Sequence, residues 1–112
     1  MALTAKRLYS SPNTGMPTSL TTLYTAPGST KTRVTGITLC NASGAGRTYR
    51  LYLVPSGDSA ATGNAIYGFD FSLPPGIPVP IPLNDWLNTG DFIHGIASGA
   101  DVAIAIFGIE ET

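Results

Sequence analysis

The sequence contains one cysteine and one histidine, and these scarcities argue against several kinds of chemistry. A single cysteine cannot form an internal disulfide, so we interpret Cys40 as a small buried apolar residue. A metal centre needs clustered His, Cys and carboxylate ligands, which the scattered Asp residues do not supply. His94 has only Ser98 or Asp91 as triad partners, at spacings typical of no catalytic motif, and a G-x-S-x-G elbow is missing. We therefore predict that the protein is not an enzyme and holds no metal or cofactor.

Charge is also scarce, at 12% of the residues against about 25% in typical soluble domains. Such a surface suits a protein covered by its neighbours, because interface cores are depleted of charge; the alternative is a Thr-rich β-protein with an uncharged exterior. All six Lys and Arg lie in residues 1–50 and all seven Asp and Glu in residues 58–112. If this separation persists in space, it favours head-to-tail contact between identical subunits; if the two halves interleave, it disappears. The balance gives no electrostatic footprint for nucleic acid.

Long apolar runs and helical periodicity are missing as well. No stretch approaches the roughly 18 apolar residues of a membrane-spanning helix, so we expect no membrane partner. The start, MALTAKRLYS, has no apolar run of signal-peptide length, and we expect a protein made in the cytosol that stays soluble or assembles. Pro or Gly interrupts nearly every segment, which leaves LNDW, residues 83–86, as the one candidate helical turn.

What the sequence does contain is a series of short β-rich runs separated by turn residues. The turn residues predict hairpins at 36–55 and across 99–100, and Gly36 is a candidate bulge. The spacing of roughly ten residues indicates an all-β fold, a single antiparallel β-sandwich of seven to eight short strands, with jelly-roll-like topology. The strands are predicted at 21–25, 30–41, 47–54, 65–73, 76–83, 91–98 and 101–111.

Alternation within these runs predicts which side chains face the core. In 47–54, Leu51 and its alternate neighbours face inward, while Arg50 and Tyr52 face outward, free to contact a neighbour. In 30–41, Val34 shares a face with Cys40, opposite Ile37. The last run is apolar on both faces, so it should lie centrally or under a partner. The core face of 65–73 is predicted to hold Tyr67, Phe69, Phe71 and Leu73.

Prolines at alternate positions distinguish the segment 76–83. Pro78, Pro80 and Pro82 remove N–H donors from one side of a strand only, so the other side can still pair. The segment is therefore predicted to be an edge strand whose free side cannot recruit another chain. Polyproline-like extended chain is the alternative.

Residues 1–19 have the weakest pattern of the chain. LTAKRLYS is predicted to be a short edge strand or part of an arm that lies on a neighbour, and SSPNTGMPTS an irregular loop. We divide the chain accordingly into an N-terminal arm or short edge strand, 1–19, and a β-sandwich domain, 20–112. As an arm, 1–19 would be removable without unfolding the domain.

Partner contacts are expected from cations and aromatic residues outside the predicted core. Trp86, next to a loop, either stacks on a sugar ring or caps the open end of the core. Interleaved cations and aromatic residues at 47–52 are better explained by strand packing than by nucleic-acid binding. The candidate contact residues are Lys6, Arg7, Arg47, Arg50, Tyr52 and Trp86.

Three segments also carry a resemblance: TTLYTAPGSTKTRVTGITLCNAS, RTYRLYLVPSGD and LNTGDFIHGIASGADVAIAIFGIEE. Over roughly residues 20–111 the chain resembles small virion-associated proteins of tailed bacteriophages. The resemblance implies a compact β-sandwich, made in the host cytoplasm, that is a building block of the virion. We expect a capsid decoration (cement) protein. Its expected partners are the major capsid protein and copies of itself, with which it would form a trimer. The alternative is a neck or tail-associated module that is structural or binds a receptor or glycan.

Overall fold

Eight β-strands account for most of residues 2–112, the part of the chain that the computed structural model describes. One 3₁₀ turn, Thr62–Asn64, lies between the fourth and fifth strands. No helix in the described part is long and apolar enough to cross a membrane. The strands are β1 Leu3–Ser10, β2 Thr21–Thr25, β3 Lys31–Asn41, β4 Arg47–Val54, β5 Phe69–Leu73, β6 Pro78–Leu87, β7 Phe92–Ala97 and β8 Val102–Glu111.

The strands form two four-stranded antiparallel sheets that pack face to face. Sheet I has the order β1-β8-β3-β6 and sheet II the order β2-β7-β4-β5. Within residues 2–112, only β4 and β5 are both consecutive in the chain and hydrogen-bonded neighbours; every other connection crosses between sheets. This is the strand order of a jelly roll, and the predicted fold is confirmed. The two predicted hairpins are wrong, because β3 and β4, like β7 and β8, lie in different sheets.

The core lies between the sheets and is built by alternate residues of the central strands. In β8, Val102, Ile104 and Ile106 are buried, whereas Ala103 and Phe107 point outward and are exposed. β8 lies between β1 and β3, as its apolar character on both faces predicted. In sheet II, the opposing buried residues include Tyr49, Leu51 and Ile93.

The predicted bulge at Gly36 is confirmed, and it changes which residues of β3 face the core. The register of β3 shifts between Val34 and Gly36 against both of its neighbours. The extra residue turns Val34 and Ile37 to the same side, and both are buried. Cys40 stays on the other face and is only partly buried. The expectations that Val34 shares a face with Cys40, and that Cys40 is a buried packing residue, are therefore wrong.

A second bulge, at Asp70, overturns part of the core face predicted for 65–73, of which Tyr67 and Leu73 are buried as predicted. Asp70 has a positive φ of 54°, and the ladder with β4 skips it: Phe71 pairs with Tyr49, and Phe69 with Arg50. Because one residue is inserted, Phe69 and Phe71 point to opposite faces, and both are exposed. Residues 65–68 form a turn instead of the first half of the predicted strand.

β6 is the edge strand that its prolines predict. It pairs with β3 alone, and its prolines lie opposite Cys40, Thr38 and Gly36. β6 pairs with β3 across these residues, so the N–H groups directed at β3 come from the alternate residues Val79 and Ile81. The N–H donors that the prolines lack are therefore on the free side of the strand. The alternate residues Val79, Ile81 and Leu83 pack against the core. The strand continues to Leu87, so the predicted helical turn at 83–86 is wrong.

Residues before β2 are packed onto the sandwich; Met1 lies outside the described residues. β1 is the other outer strand of sheet I and pairs with β8. The chain then crosses the end of the sheet, where the Met16 N–H donates to the Val102 carbonyl at 2.7 Å. The Met16 side chain is 1% exposed and belongs to the core cluster. β1 thus has the position of the predicted short edge strand, and the packing of Met16 leads us to expect that removal of 1–19 would destabilise the domain.

Ion pairs show that the charge separation along the chain disappears in the fold. Each pair joins a cation from the first half to a carboxylate from the second half, because the two halves supply neighbouring strands. The pairs are Lys6–Glu110 at 3.2 Å, Arg47–Asp101 at 2.8 Å and Arg50–Asp70 at 2.6 Å.

Candidate partner interface

Part of the outer surface of sheet I is an apolar face without charged side chains. Its strands place small, aromatic and proline side chains in transverse rows, such as Pro80–Thr38–Ala105 and Pro78–Cys40–Ala103. Phe107, in the next row, is 40% exposed. We define the apolar face by eight residues: Thr38, Cys40, Pro78, Pro80, Pro82, Ala103, Ala105 and Phe107.

An antiparallel sheet that faces water on one side normally alternates apolar and polar residues. β8 departs from this pattern, because its outward residues Ala103, Ala105 and Phe107 are all apolar. At a strand spacing of about 4.8 Å and a rise of about 3.4 Å per residue, three strands and five residues span roughly 14 by 17 Å, or about 240 Å². This is slightly below the largest apolar patch of a typical monomeric protein, about 300–600 Å², which is often an interaction site. It is large enough to be the centre of an interface that buries about 800 Å² per partner.

One end of the apolar face deepens into a groove of about 570 Å³. Its wall is the chain after β1, held against β8 by the Ser11 N–H, which donates to the Ile104 carbonyl at 2.9 Å. Gly15 allows this close approach: its φ is +87°, and a Cβ there would lie 1.5 Å from the Ala100 carbonyl oxygen. The lining includes Ser10, Pro12, Asn13, Cys40, Ala103 and Phe107.

The charges around the apolar face are mostly positive. Arg7 on β1 lies opposite Phe107, and it forms no ion pair within residues 2–112. Asp101, at the groove, is held by Arg47 through two hydrogen bonds of 2.8 and 3.0 Å, which lower the pKa of its carboxyl. A complementary partner surface would therefore be apolar with a carboxylate at its rim.

Five of the six predicted contact residues fall into two groups. Three cations form intramolecular ion pairs at the surface: Lys6 with Glu110, Arg47 with Asp101, and Arg50 with Asp70. Arg50 also stacks on Phe69, with its guanidinium carbon 4.2 Å from the ring centroid. Arg7 and Trp86 are exposed on the sheet I side.

Tyr52 does not have the exposure that alternation predicts. It is 6% exposed, so the expectation that it is free to contact a neighbour is wrong. β4 is a central strand of sheet II, and Tyr52 lies directly across from His94 of β7. Tyr52 also lies outside the main core cluster, so it is buried on the outer side of its sheet.

Comparison with known proteins identified no relative of this chain. No protein-family model, curated protein or solved structure matches the chain. The apolar face is therefore interpreted from its own residues.

The residues considered for catalysis have separate partners. His94 Nε2 lies 2.6 Å from the Thr22 hydroxyl, and burial lowers the pKa of the imidazole. The Asp91 carboxylate accepts two backbone N–H groups, and the Ser98 hydroxyl accepts the N–H of Thr48. In residues 2–112, no three His, Cys, Asp or Glu side chains cluster in a way that could hold a metal ion.

The sequence already held a signal for the apolar face, in the run AIAIFGI of β8. Its apolar character on both faces indicated either a central position in the sheet or cover by a partner. Sequence patterns could not predict which strands lie beside β8 in the sheet. The prolines of β6 and the small residues of β3 extend the surface only because β3 separates β6 from β8.

Proposed function

We propose that the protein is a non-enzymatic structural subunit of a phage virion, most specifically a capsid decoration protein that stabilises contacts between major capsid subunits. The observation that carries the proposal is the apolar face: an outward sheet surface with Phe107 at one corner and prolines along the opposite side. In water such a surface is unfavourable to expose, so it favours a role in which another protein covers it. The resemblance of residues 20–111 to virion-associated proteins supports the same role.

The chemistry of the face indicates what kind of capsid surface would fit. Arg7 lies at its border without an internal carboxylate partner in the described residues. A capsid surface that is apolar at its centre and acidic at its rim would bury the face and pair this cation. The prolines of β6 favour packing through side chains, because this edge cannot add a strand.

Contacts between copies of the protein, as in a trimer, are part of the proposal. A closed ring of three uses two different surfaces on each subunit. Phe69 and Phe71, exposed on opposite sides of the edge strand β5, supply two apolar contact points for such a ring. They belong to sheet II, whereas the apolar face is on the outer side of sheet I, which would stay available to the capsid.

Binding to capsids tests the proposal directly. Purified Phe107→Asp protein would be compared with wild type for co-sedimentation with capsids that lack the protein. Phe107 points outward, so its replacement leaves the core intact, whereas exchanging the largest apolar side chain of the face for a carboxylate that must lose its water on docking should weaken binding about 30-fold or more. Leu20→Asp, at an exposed leucine distant from the face, is the control and should bind like wild type. Equal binding by Phe107→Asp would refute the docking face.

Copy number separates the capsid from the alternative locations. Quantitative mass spectrometry of purified virions would give the ratio of this chain to the major capsid protein. A ratio near that of the capsid subunits supports decoration, and a few copies per particle would place the protein at the neck or tail. Absence from the particle would contradict a virion role.

A further inference from the structure

Trp86 is presented to solvent in a fixed orientation, beyond the end of the apolar face. Its side chain is 48% exposed, so it does not cap the core, which was one of the two alternatives that the sequence left open. It lies opposite Arg33 of β3, whose guanidinium carbon is 5.6 Å from the ring centroid. This cation–π contact restricts the ring while leaving about half of the side chain open.

Beside the indole is a depression of about 300 Å³, lined by Lys31, Trp86, Asn88 and Glu111. Lys31 and Glu111 face each other on the neighbouring strands β3 and β8. Asn88 follows Trp86 by two positions, just after β6 ends. In residues 2–112, none of the three polar side chains takes part in a side-chain hydrogen bond or an ion pair of 4 Å or less. The site therefore offers a carboxylate acceptor, an ammonium donor and an amide that is both, next to an aromatic surface.

We infer that this depression binds the pyranose ring of a neutral sugar. A pyranose has an apolar face of C–H groups, which suits the electron-rich face of an indole, and a rim of hydroxyls that both donate and accept. Glu111 would accept from one hydroxyl, Lys31 would donate to another, and Asn88 would do both. The volume is at the lower limit of small-molecule sites, which fits one sugar ring. Lys31 and Glu111 carry opposite charges, so the lining itself has no net charge, and the nearby Arg33 cation is engaged by the indole. The lining therefore suits a neutral ring.

The sugar site is separate from the capsid-docking proposal. It uses the far end of sheet I, where β6 ends, and none of its four lining residues belongs to the apolar face. Both surfaces lie on the outer side of sheet I, so in a decoration protein the sugar site would lie at the margin of the docked surface. Either proposal can fail without the other.

Intrinsic fluorescence tests the inference, because Trp86 is the only tryptophan in the chain. The full-length protein would be titrated with neutral hexoses and N-acetylhexosamines, and in parallel with oligosaccharides that contain the same sugars. We expect a saturable change in emission as the ring displaces water from the indole. Saturation by a free sugar, or by a ring within a chain, supports the site; no saturable change with any of these probes overturns it.

Substitutions show whether the response comes from the proposed contacts. Glu111→Gln keeps the shape of the site but removes the charged acceptor, and should raise the Kd about tenfold. Phe69→Ala is the matched control, because Phe69 is 44% exposed, like Trp86, but lies on sheet II. It should leave the Kd unchanged. A Kd that is the same in wild type and Glu111→Gln would refute the assigned site even if some sugar binds.

Discussion

Replacing Met16 by alanine should unfold the protein far more easily, although the residue lies in a segment without regular secondary structure. The side chain is 1% exposed, and its Cε lies 3.1 Å from where a Cβ on Gly95 would be, so it packs closely against β7. Truncating a buried methionine to alanine costs about 2–5 kcal/mol, from lost apolar burial and the cavity left behind. Because Met16 also holds the chain across the end of sheet I, we expect about 3 kcal/mol. That corresponds to a fall in Tm of roughly 10–15 °C.

Urea denaturation followed by tryptophan fluorescence, together with thermal unfolding followed by circular dichroism, would measure the change. The matched control is Leu20→Ala, which removes a similar apolar side chain from the same connection. Leu20 is 49% exposed, so its truncation should change the free energy of unfolding by less than about 1 kcal/mol. If Met16→Ala were as stable as Leu20→Ala, residues 11–19 would not be part of the folded core.

Glu110 and the prolines of β6 are two other positions where substitution has a defined outcome. The hydrogen bond from the Tyr24 hydroxyl, and then the contact with Lys6, hold the pKa of the Glu110 carboxyl below its ordinary value. This stabilisation is present above the unfolded-state pKa of about 4.3 and is lost as the pH falls through the lower folded-state pKa. Glu110→Gln should therefore reduce the loss of stability on acidification. Urea denaturation between about pH 2 and 6 would measure the difference. An unchanged pH profile would contradict this assignment. Replacing the three alternate prolines of β6 by threonine restores N–H donors to its free edge. Light scattering should then detect association at concentrations where wild type and the control Pro55→Thr do not associate. Equal scattering by all three proteins would refute the protected edge.

Sequence alternation predicted strands well where the apolar and polar residues alternate without interruption. The run 47–54 coincides with β4, and the inward positions of Tyr49 and Leu51 are as alternation requires. Pairing is different, because it depends on residues far away in the chain. The ASGAG turn has the composition of a hairpin loop, yet it carries the chain from one sheet to the other. A turn sequence specifies a change of direction, not the sheet that the next strand joins.

The largest errors in predicting which side chains face the core came from β-bulges, each of which inserts one residue into a strand. Asp70 adopts a left-handed conformation that a non-glycine residue rarely takes, and this alone moves Phe69 to the opposite face from the one predicted. At the candidate sites, sequence composition identified Trp86 as a sugar-stacking candidate but not its companions. Lys31, Asn88 and Glu111 come from three different parts of the chain, and only the order of strands in sheet I brings them together.

The position of β8 affects when the protein can act during its synthesis. β8, the last of the eight described strands in chain order, is the central partner that β1 and β3 share. Sheet I therefore cannot close before β8 has been made, and pairing of such distant segments makes folding slow. Ala103, Ala105 and Phe107 also belong to β8, so the apolar face does not exist on a nascent chain that lacks this strand. Synthesis of β8 would thus precede docking, and a premature partner would find no apolar face to bind.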